Sequence, residues 1–246
     1  MKTALSIPCF ISQFYPEVAE SSMQLMEKLG IDFELPKDQT CCGQPLANSG
    51  YEHKAKEIYK HNVDLFGSYD MTLMISGSCT YHIKEHYDVI EQTDEVTRLR
   101  NNIRDLTEYI LNECLDKLPP VKFPHKVALH TGCHSLRGMR FGVSSELGAE
   151  TKSFLLPMVQ HVKDIEIINL ERPNECCGFG GTFSVFYDEI SVRMGRDKLQ
   201  DAINKGVEVL VSNDMSCFLH LEGIIKKDKL PIKVMHILQV LNGDKL

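Results

Sequence analysis

The sequence predicts an α/β fold of two tandem repeats, each a small parallel sheet with flanking helices and with cysteine loops at the carboxyl ends of its strands. Three observations predict it. Short apolar runs alternate with amphipathic helical stretches, the pattern of βαβ units. The order of elements in the first half recurs in the second. In both halves the cysteines stand just after a predicted strand.

Ala4 to Cys9 reads as a buried strand ending on a cysteine. Glu17 to Leu29 is an amphipathic helix with Val18, Met23, Met26 and Leu29 on or near one face, closed by Gly30. Ile31 to Leu35 is expected as a second strand, leading into Cys41-Cys42-Gly43. Tyr51 to Phe66 is helical, with Ile58, Val63 and Leu65 as candidate core residues, and Met71 to Ile75 is a third strand opening into Cys79-Thr80-Tyr81-His82. The second half gives a strand at Lys126 to His130 near Cys133, a helical stretch from Phe154 to Val162 and a strand at Ile165 to Leu170. Cys176-Cys177-Gly178, a helix over Val185 to Asn204 and a strand at Val207 to Val211 before Cys217-Phe218-Leu219-His220 complete it. Each half closes with similar material, Ile103 to Leu111 and Met235 to Leu241. Pro119, Pro120 and Pro124 interrupt regular structure between them, so the expected domains are 1–118 and 119–246.

Composition narrows the function. Apolar residues make up 43% and charged residues 25%, ordinary values for a globular protein. A net charge of −7 leaves no basic surplus to neutralise nucleic-acid phosphates. No run approaches the roughly 18–20 apolar residues of a membrane span. Leu5-Ser6-Ile7-Pro8 before Cys9 is too short for an export signal, whose apolar core needs about 7–15 residues. The expected location is therefore the cytoplasm, where thiols stay reduced and nine cysteines point to metal or redox chemistry.

Eight of those cysteines form two sets of the same order: Cys9, Cys41, Cys42, Cys79 with His82, then Cys133, Cys176, Cys177, Cys217 with His220. Loops at the carboxyl ends of neighbouring parallel strands meet at one crevice, so each set is expected to converge. Four thiols and an imidazole suit an iron–sulfur cluster or zinc. Vicinal disulfides are strained and disfavoured in a reducing compartment. Cys114, outside both sets, reads as a small core residue.

The paired Cys-Cys-Gly triplets resemble the cysteine-rich CCG-domain family, the type found in the B subunit of heterodisulfide reductase and in glycolate oxidase iron–sulfur subunits. The short two-domain lactate utilisation protein A group is the nearest in plan. The resemblance runs from Cys9 to about His236. It implies one iron–sulfur cluster per repeat and oxidation of L-lactate, or a similar 2-hydroxy acid, within a multi-protein complex whose other subunits carry ferredoxin-type clusters. The chain departs from the heterodisulfide reductase pattern, which ends each half in Cys-x-x-Cys where His82 and His220 stand here. A four-iron cluster on four cysteines therefore fits the count better than a five-thiolate one, with the histidines as fifth or alternate ligands.

Weaker features complete the reading. Arg137 and Arg140 follow Cys133 and could clamp a small carboxylate, though solvated arginines account for them equally well. Gly178-Phe179-Gly180-Gly181 lets backbone amides approach a cluster sulfur. Tyr81, Phe179 and Phe218 are candidates to shield a metal from water, and His53, His61, His86 and His161 are expected on solvent-facing helix surfaces. Two other readings stay open: a non-redox zinc-binding scaffold, with zinc also able to replace a lost cluster, and a thiol–disulfide reductase using the vicinal pairs.

Overall fold

A computed structural model describes residues 1–246. In the first half β1 (Thr3–Ser6) leads into α1 (Cys9–Phe14) and α2 (Pro16–Lys28). A loop then carries the cysteine pair into α3 (Gln44–Asn48) and α4 (Glu52–Phe66), and β2 (Met71–Met74) feeds α5 (Gly77–His86). α6 (Asp94–Asn102), β3 (Ile103–Asp105) and α7 (Leu106–Glu113) finish the half. The second half has β4 (Lys126–His130), a small ribbon of β5 (Gly142–Val143) and β6 (Lys152–Ser153), α8 (Leu156–Val159) and β7 (Glu166–Ile167). It continues through α9 (Phe183–Phe186), α10 (Asp188–Asn204), β8 (Val209–Ser212), α11 (Met215–Asp228), β9 (Lys233–His236) and α12 (Ile237–Asn242).

Two parallel sheets result, one ordered β1-β2-β3 and the other β7-β4-β8-β9. They are the same sheet drawn twice. Glu34 pairs with Ala4 through a single parallel bridge, on the side of β1 where β7 flanks β4. The strand expected at Ile31 to Leu35 is thus reduced to one residue, because Pro36 follows at once and cannot donate to a ladder. Its place is taken by a side chain: Gln39 donates to the Leu5 carbonyl at 3.0 Å and accepts from the Ile7 amide at 2.8 Å. The strand expected at 165–170 is likewise only β7.

Other expectations shift at the helices. The stretch expected as one helix over 185–204 is two, α9 and α10, broken at Tyr187 with φ −131°. The stretch from Phe154 to Val162 contains only the short α8. In α4 the buried residues are Ala55, Tyr59, Asn62, Val63 and Phe66, while Ile58 and Leu65 are half-buried. Alanine, tyrosine and asparagine at helical spacing complete a stripe that an apolar count alone misreads.

Alternation along β1 and β2 divides the packing. Ala4 and Met74 face a smaller cluster with Tyr59, Phe66, Ile83 and Tyr87, whereas Leu5 and Leu73 face the main core. That main core is shared by both halves: Leu25, Leu106 and Ile110 pack with Val127, Val209, Val211 and Leu238. Cys114 belongs to it, 5% exposed, as expected of a core thiol. α12 lies against α2, where Lys28 Nζ donates to Asn242 Oδ1 at 2.6 Å and Asn242 Nδ2 to Gln24 Oε1 at 3.0 Å.

The carboxyl ends of the two sheets meet head to head through buried polar groups. The Ser78 amide donates to Asp214 Oδ2 at 2.9 Å and Ser76 Oγ donates to the same oxygen at 3.4 Å. Asn213 Nδ2 donates to Asp105 Oδ2 at 3.1 Å and to Ser135 Oγ at 2.9 Å. Asp105 also caps α7 by accepting from the Thr107 and Glu108 amides. Burial pushes its carboxyl up to about 7, against those hydrogen bonds, which favour the anion. The native state therefore keeps a proton that an unfolded carboxyl of about 3.9 has released, so its contribution is complete at acidic pH and is lost as pH rises toward 7. Asp105→Asn removes that titration. The melting-temperature difference in favour of wild type is expected to be larger at pH 5 than at pH 8 by calorimetry, and a pH-independent difference refutes the assignment.

Candidate metal centre

Each cysteine owes its place to a strand end. Cys9 is the first residue of α1, directly after Pro8, and Cys79 and Cys217 are each the third residue of their helices, α5 and α11. Ser76 caps α5 by accepting from the Cys79 amide at 3.3 Å, and Asp214 caps α11 by accepting from the Ser216 amide at 3.0 Å. Cys133 stands in helical conformation just before the π-helical turn His134–Gly138.

The thiols of each set form a chain of neighbouring contacts, Cys9 to Cys41 to Cys42 to Cys79 and Cys133 to Cys176 to Cys177 to Cys217. Cys41 accepts hydrogen bonds from Cys42 and from Cys9, which hold it down at about 3, while Cys42, in contact with Cys41 and Cys79 and fully buried, is pushed up. Contact with Cys41 likewise pushes Cys9 up. In the second half Cys176 is held down at about 2 by Cys133 and then Cys177, while Cys133 and Cys177 are pushed up, Cys177 by Cys176 and Cys217. In both halves the first cysteine of the triplet carries the thiolate, with Cys42 its leading partner in the first half and Cys133 in the second.

The triplet glycines set this geometry. The Gly43 amide donates to Cys41 Sγ and the Gly178 amide to Cys176 Sγ, each at 3.4 Å. Both glycines hold left-handed backbone, with φ of 90° and 92°. The loops are braced differently. The Cys41 and Cys42 carbonyls accept from Asn62 Nδ2 at 3.0 Å and Tyr87 Oη at 2.9 Å. In the second half the buried Lys198 Nζ donates to the Pro173 and Glu175 carbonyls at 3.3 and 3.1 Å.

Both sets open on one cavity of about 450 Å³ between the halves, lined by Cys9, Cys41, Cys42 and Cys79 on one side and by Cys133, Cys177 and Cys217 on the other. Phe10 of α1 meets Phe179 across it, with ring centroids 5.9 Å apart. Gln44 reaches His134 at 3.3 Å.

The histidines divide in an unforeseen way. His82 is buried, its Nε2 3.0 Å from the Tyr59 hydroxyl and its ring stacked on His86, and desolvation pushes it down to about 3. His220 Nε2 lies 3.2 Å from the Ser191 carbonyl. The imidazole set against thiols is His130 at the end of β4: its ligand atom and the sulfurs of Cys177 and Cys217 all lie within 4.8 Å of one another. It is 1% exposed and neither ring nitrogen has a hydrogen-bond partner, a loss of about 1–3 kcal/mol for each unsatisfied group. Sequence reading passed over it because a histidine within a predicted strand is ordinarily core.

Neither arginine lines the cavity: Arg137 pairs with Glu146 and the Asn174 carbonyl, and Arg140 is exposed. Phe179 lines the cavity, Phe218 packs at 6.3 Å from His130, and Tyr81 lies instead on Gly138 and on His134 at the seam. His53, His86 and His161 are exposed and His61 half-buried.

A Cβ on Gly178 would stand 2.4 Å from the Ser191 carbonyl oxygen, and one on Gly43 2.5 Å from the Tyr59 ring. Gly178→Ala combines backbone overlap with left-handed strain, worth about 1–3 kcal/mol for the strain alone. Gly178→Ala is expected to lower the chemical-denaturation stability by at least that amount, and an unchanged midpoint contradicts the geometry.

A cysteine-rich domain family, CCG, matches residues 3–84 and 127–222, the two segments that carry the thiol sets. The chain is 33% identical to lactate utilization protein A 1 of Bacillus mycoides over 100% of its own length and 98% of the relative's. It is 35% identical to lactate utilization protein A of Geobacillus thermodenitrificans, covering 98% and 99% of the two chains, and 33% identical to that of Bacillus subtilis, covering 99% and 100%. With both cysteine segments matched and the relatives aligned nearly end to end, this chain belongs to the cysteine-rich CCG domain family, among the lactate utilization A proteins.

Proposed function

We propose that each thiol set holds a four-iron iron–sulfur cluster and that the chain is an electron-carrying subunit of an oxidoreductase complex. The observation that carries this is the unbroken chain of thiol contacts Cys9–Cys41–Cys42–Cys79, repeated by Cys133–Cys176–Cys177–Cys217. Four soft donors in one contact chain, with an amide aimed at a sulfur, form a donor set that fits such a cluster. When bound, it supplies one-electron storage. The chain's own residues present Cys9, Cys79 and Cys217 from first helical turns, donate N–H groups from Gly43 and Gly178, and keep the site dry with Phe10 and Phe179.

The relatives' names direct the reading to lactate, or a similar 2-hydroxy acid, as the compound oxidised. The chain has no Cys-x2-Cys-x2-Cys-x3-Cys-Pro run, so partner subunits with ferredoxin-type clusters complete the electron path, in the cytoplasm. No helix is long and apolar enough to cross a membrane. Residues 1–118 and 119–246 serve as the two cluster-bearing domains. A zinc-binding role has one specific observation in its favour, the His130–Cys177–Cys217 grouping, a ligand type that zinc also accepts.

Anaerobically purified protein is expected to be brown, with about eight iron and eight sulfide per chain, and Cys41→Ser and Cys176→Ser should each retain about four. Iron-free protein with stoichiometric zinc from freshly lysed cells overturns the iron–sulfur reading, and extensive vicinal disulfide in alkylated cell extracts favours a thiol–disulfide enzyme.

A further inference from the structure

The two thiol sets are chemically unequal. Counting along the paired strands, β1 to β2 and β4 to β8, Ser6 in the first half occupies the position of His130 in the second, just as Cys9 answers to Cys133 and Cys79 to Cys217. Ser6 is a small hydroxyl, 5% exposed, and brings no nitrogen to the first set. The same counting from Cys41 and Cys176 puts Val63 where the second half has Lys198. At these two matched positions the second site therefore carries a buried imidazole and a buried amine where the first has a serine and a valine.

His130 has the properties of a ligand awaiting its metal. Its ring is buried, both nitrogens are without partners, and Cys177 and Cys217 lie within reach. Its neighbours offer no alternative bond: Phe218 packs beside it, and Lys198 spends its donors on backbone carbonyls. Buried polar groups are nearly always satisfied, so an orphaned imidazole beside thiols points to a missing partner.

We propose that His130 is a nitrogen ligand of the second metal centre, acting with Cys177 and Cys217 and standing in for one of that set's other two thiols, so that the chain holds one all-thiolate centre and one mixed centre. This rests on the cluster reading above. Exchanging an anionic thiolate for a neutral imidazole reduces the negative charge on a cluster and favours its reduced state, as in centres where histidines replace cysteines. The nearby Lys198 acts in the same direction. A cluster held there would have the higher potential of the two.

Wild-type protein, reduced stepwise under anaerobic conditions, is expected to show two separate midpoints. Pulsed EPR of the cluster reduced first should show a directly bound nitrogen whose coupling changes when histidine is labelled with ¹⁵N. His130→Ser, which installs the first half's residue, should abolish that coupling and narrow the gap between the two midpoints, whereas His220→Gln should leave both signatures in place. Two clusters present without a directly bound histidine nitrogen, in wild-type protein alone, overturn the assignment of His130 and leave the cluster reading standing. Protein without iron overturns both. Should His130→Ser fail to fold, the isotope experiment on the unaltered chain still decides.

Discussion

The meeting of two sheet edges through one buried carboxylate is the constraint on which the rest of the molecule depends. Asp214 caps its own helix with one oxygen and accepts from the Ser78 amide and the Ser76 hydroxyl with the other. It thereby ties the first turn of α11, which carries Cys217, to the first turn of α5, which carries Cys79. A buried carboxyl group is tolerable only when its hydrogen bonds are made, and here backbone donors from both halves supply them. Because the contact joins carboxyl ends, every cysteine loop of both sheets is brought around one cavity.

Within each half the thiols converge for reasons that are local and repeated. A parallel sheet delivers the ends of its strands to one side, helices starting there present first-turn cysteines, and a left-handed glycine folds the vicinal pair back toward them. What differs is the bracing. Asn62 and Tyr87 hold the first triplet loop, and Lys198 holds the stretch leading into the second. The shared arrangement survives this change because it is set by backbone geometry, whereas the side chains around it were free to diverge.

Much of this was legible in the chain itself, and the limits follow physical lines. Regularly spaced apolar residues marked α2, α4, β2, β4 and β8, since those elements bury a stripe or a full run. The edge element at Glu34 was overestimated because five strand-forming residues read alike whether they pair along their length or at one point, and Gln39 does the remaining pairing from outside the element. The grouping of the eight thiols was legible because order and spacing recur. His130 was not, because a histidine's role depends on whether its nitrogens find partners in three dimensions. The head-to-head contact was also hidden: Ser76, Asp105, Asn213 and Asp214 read as ordinary capping and loop residues.

Ser76 and Asp214 hold the same position in their respective repeats, and they touch. A like element meeting its own counterpart is the hallmark of a two-fold, isologous interface, here written within a single polypeptide. Two identical chains joined in this way would be bound to carry the same side chain at both places, a serine twice or a histidine twice. Covalent fusion of the two units lifts that obligation, and the Ser6–His130 and Val63–Lys198 differences are distinctions that only a fused pair can carry.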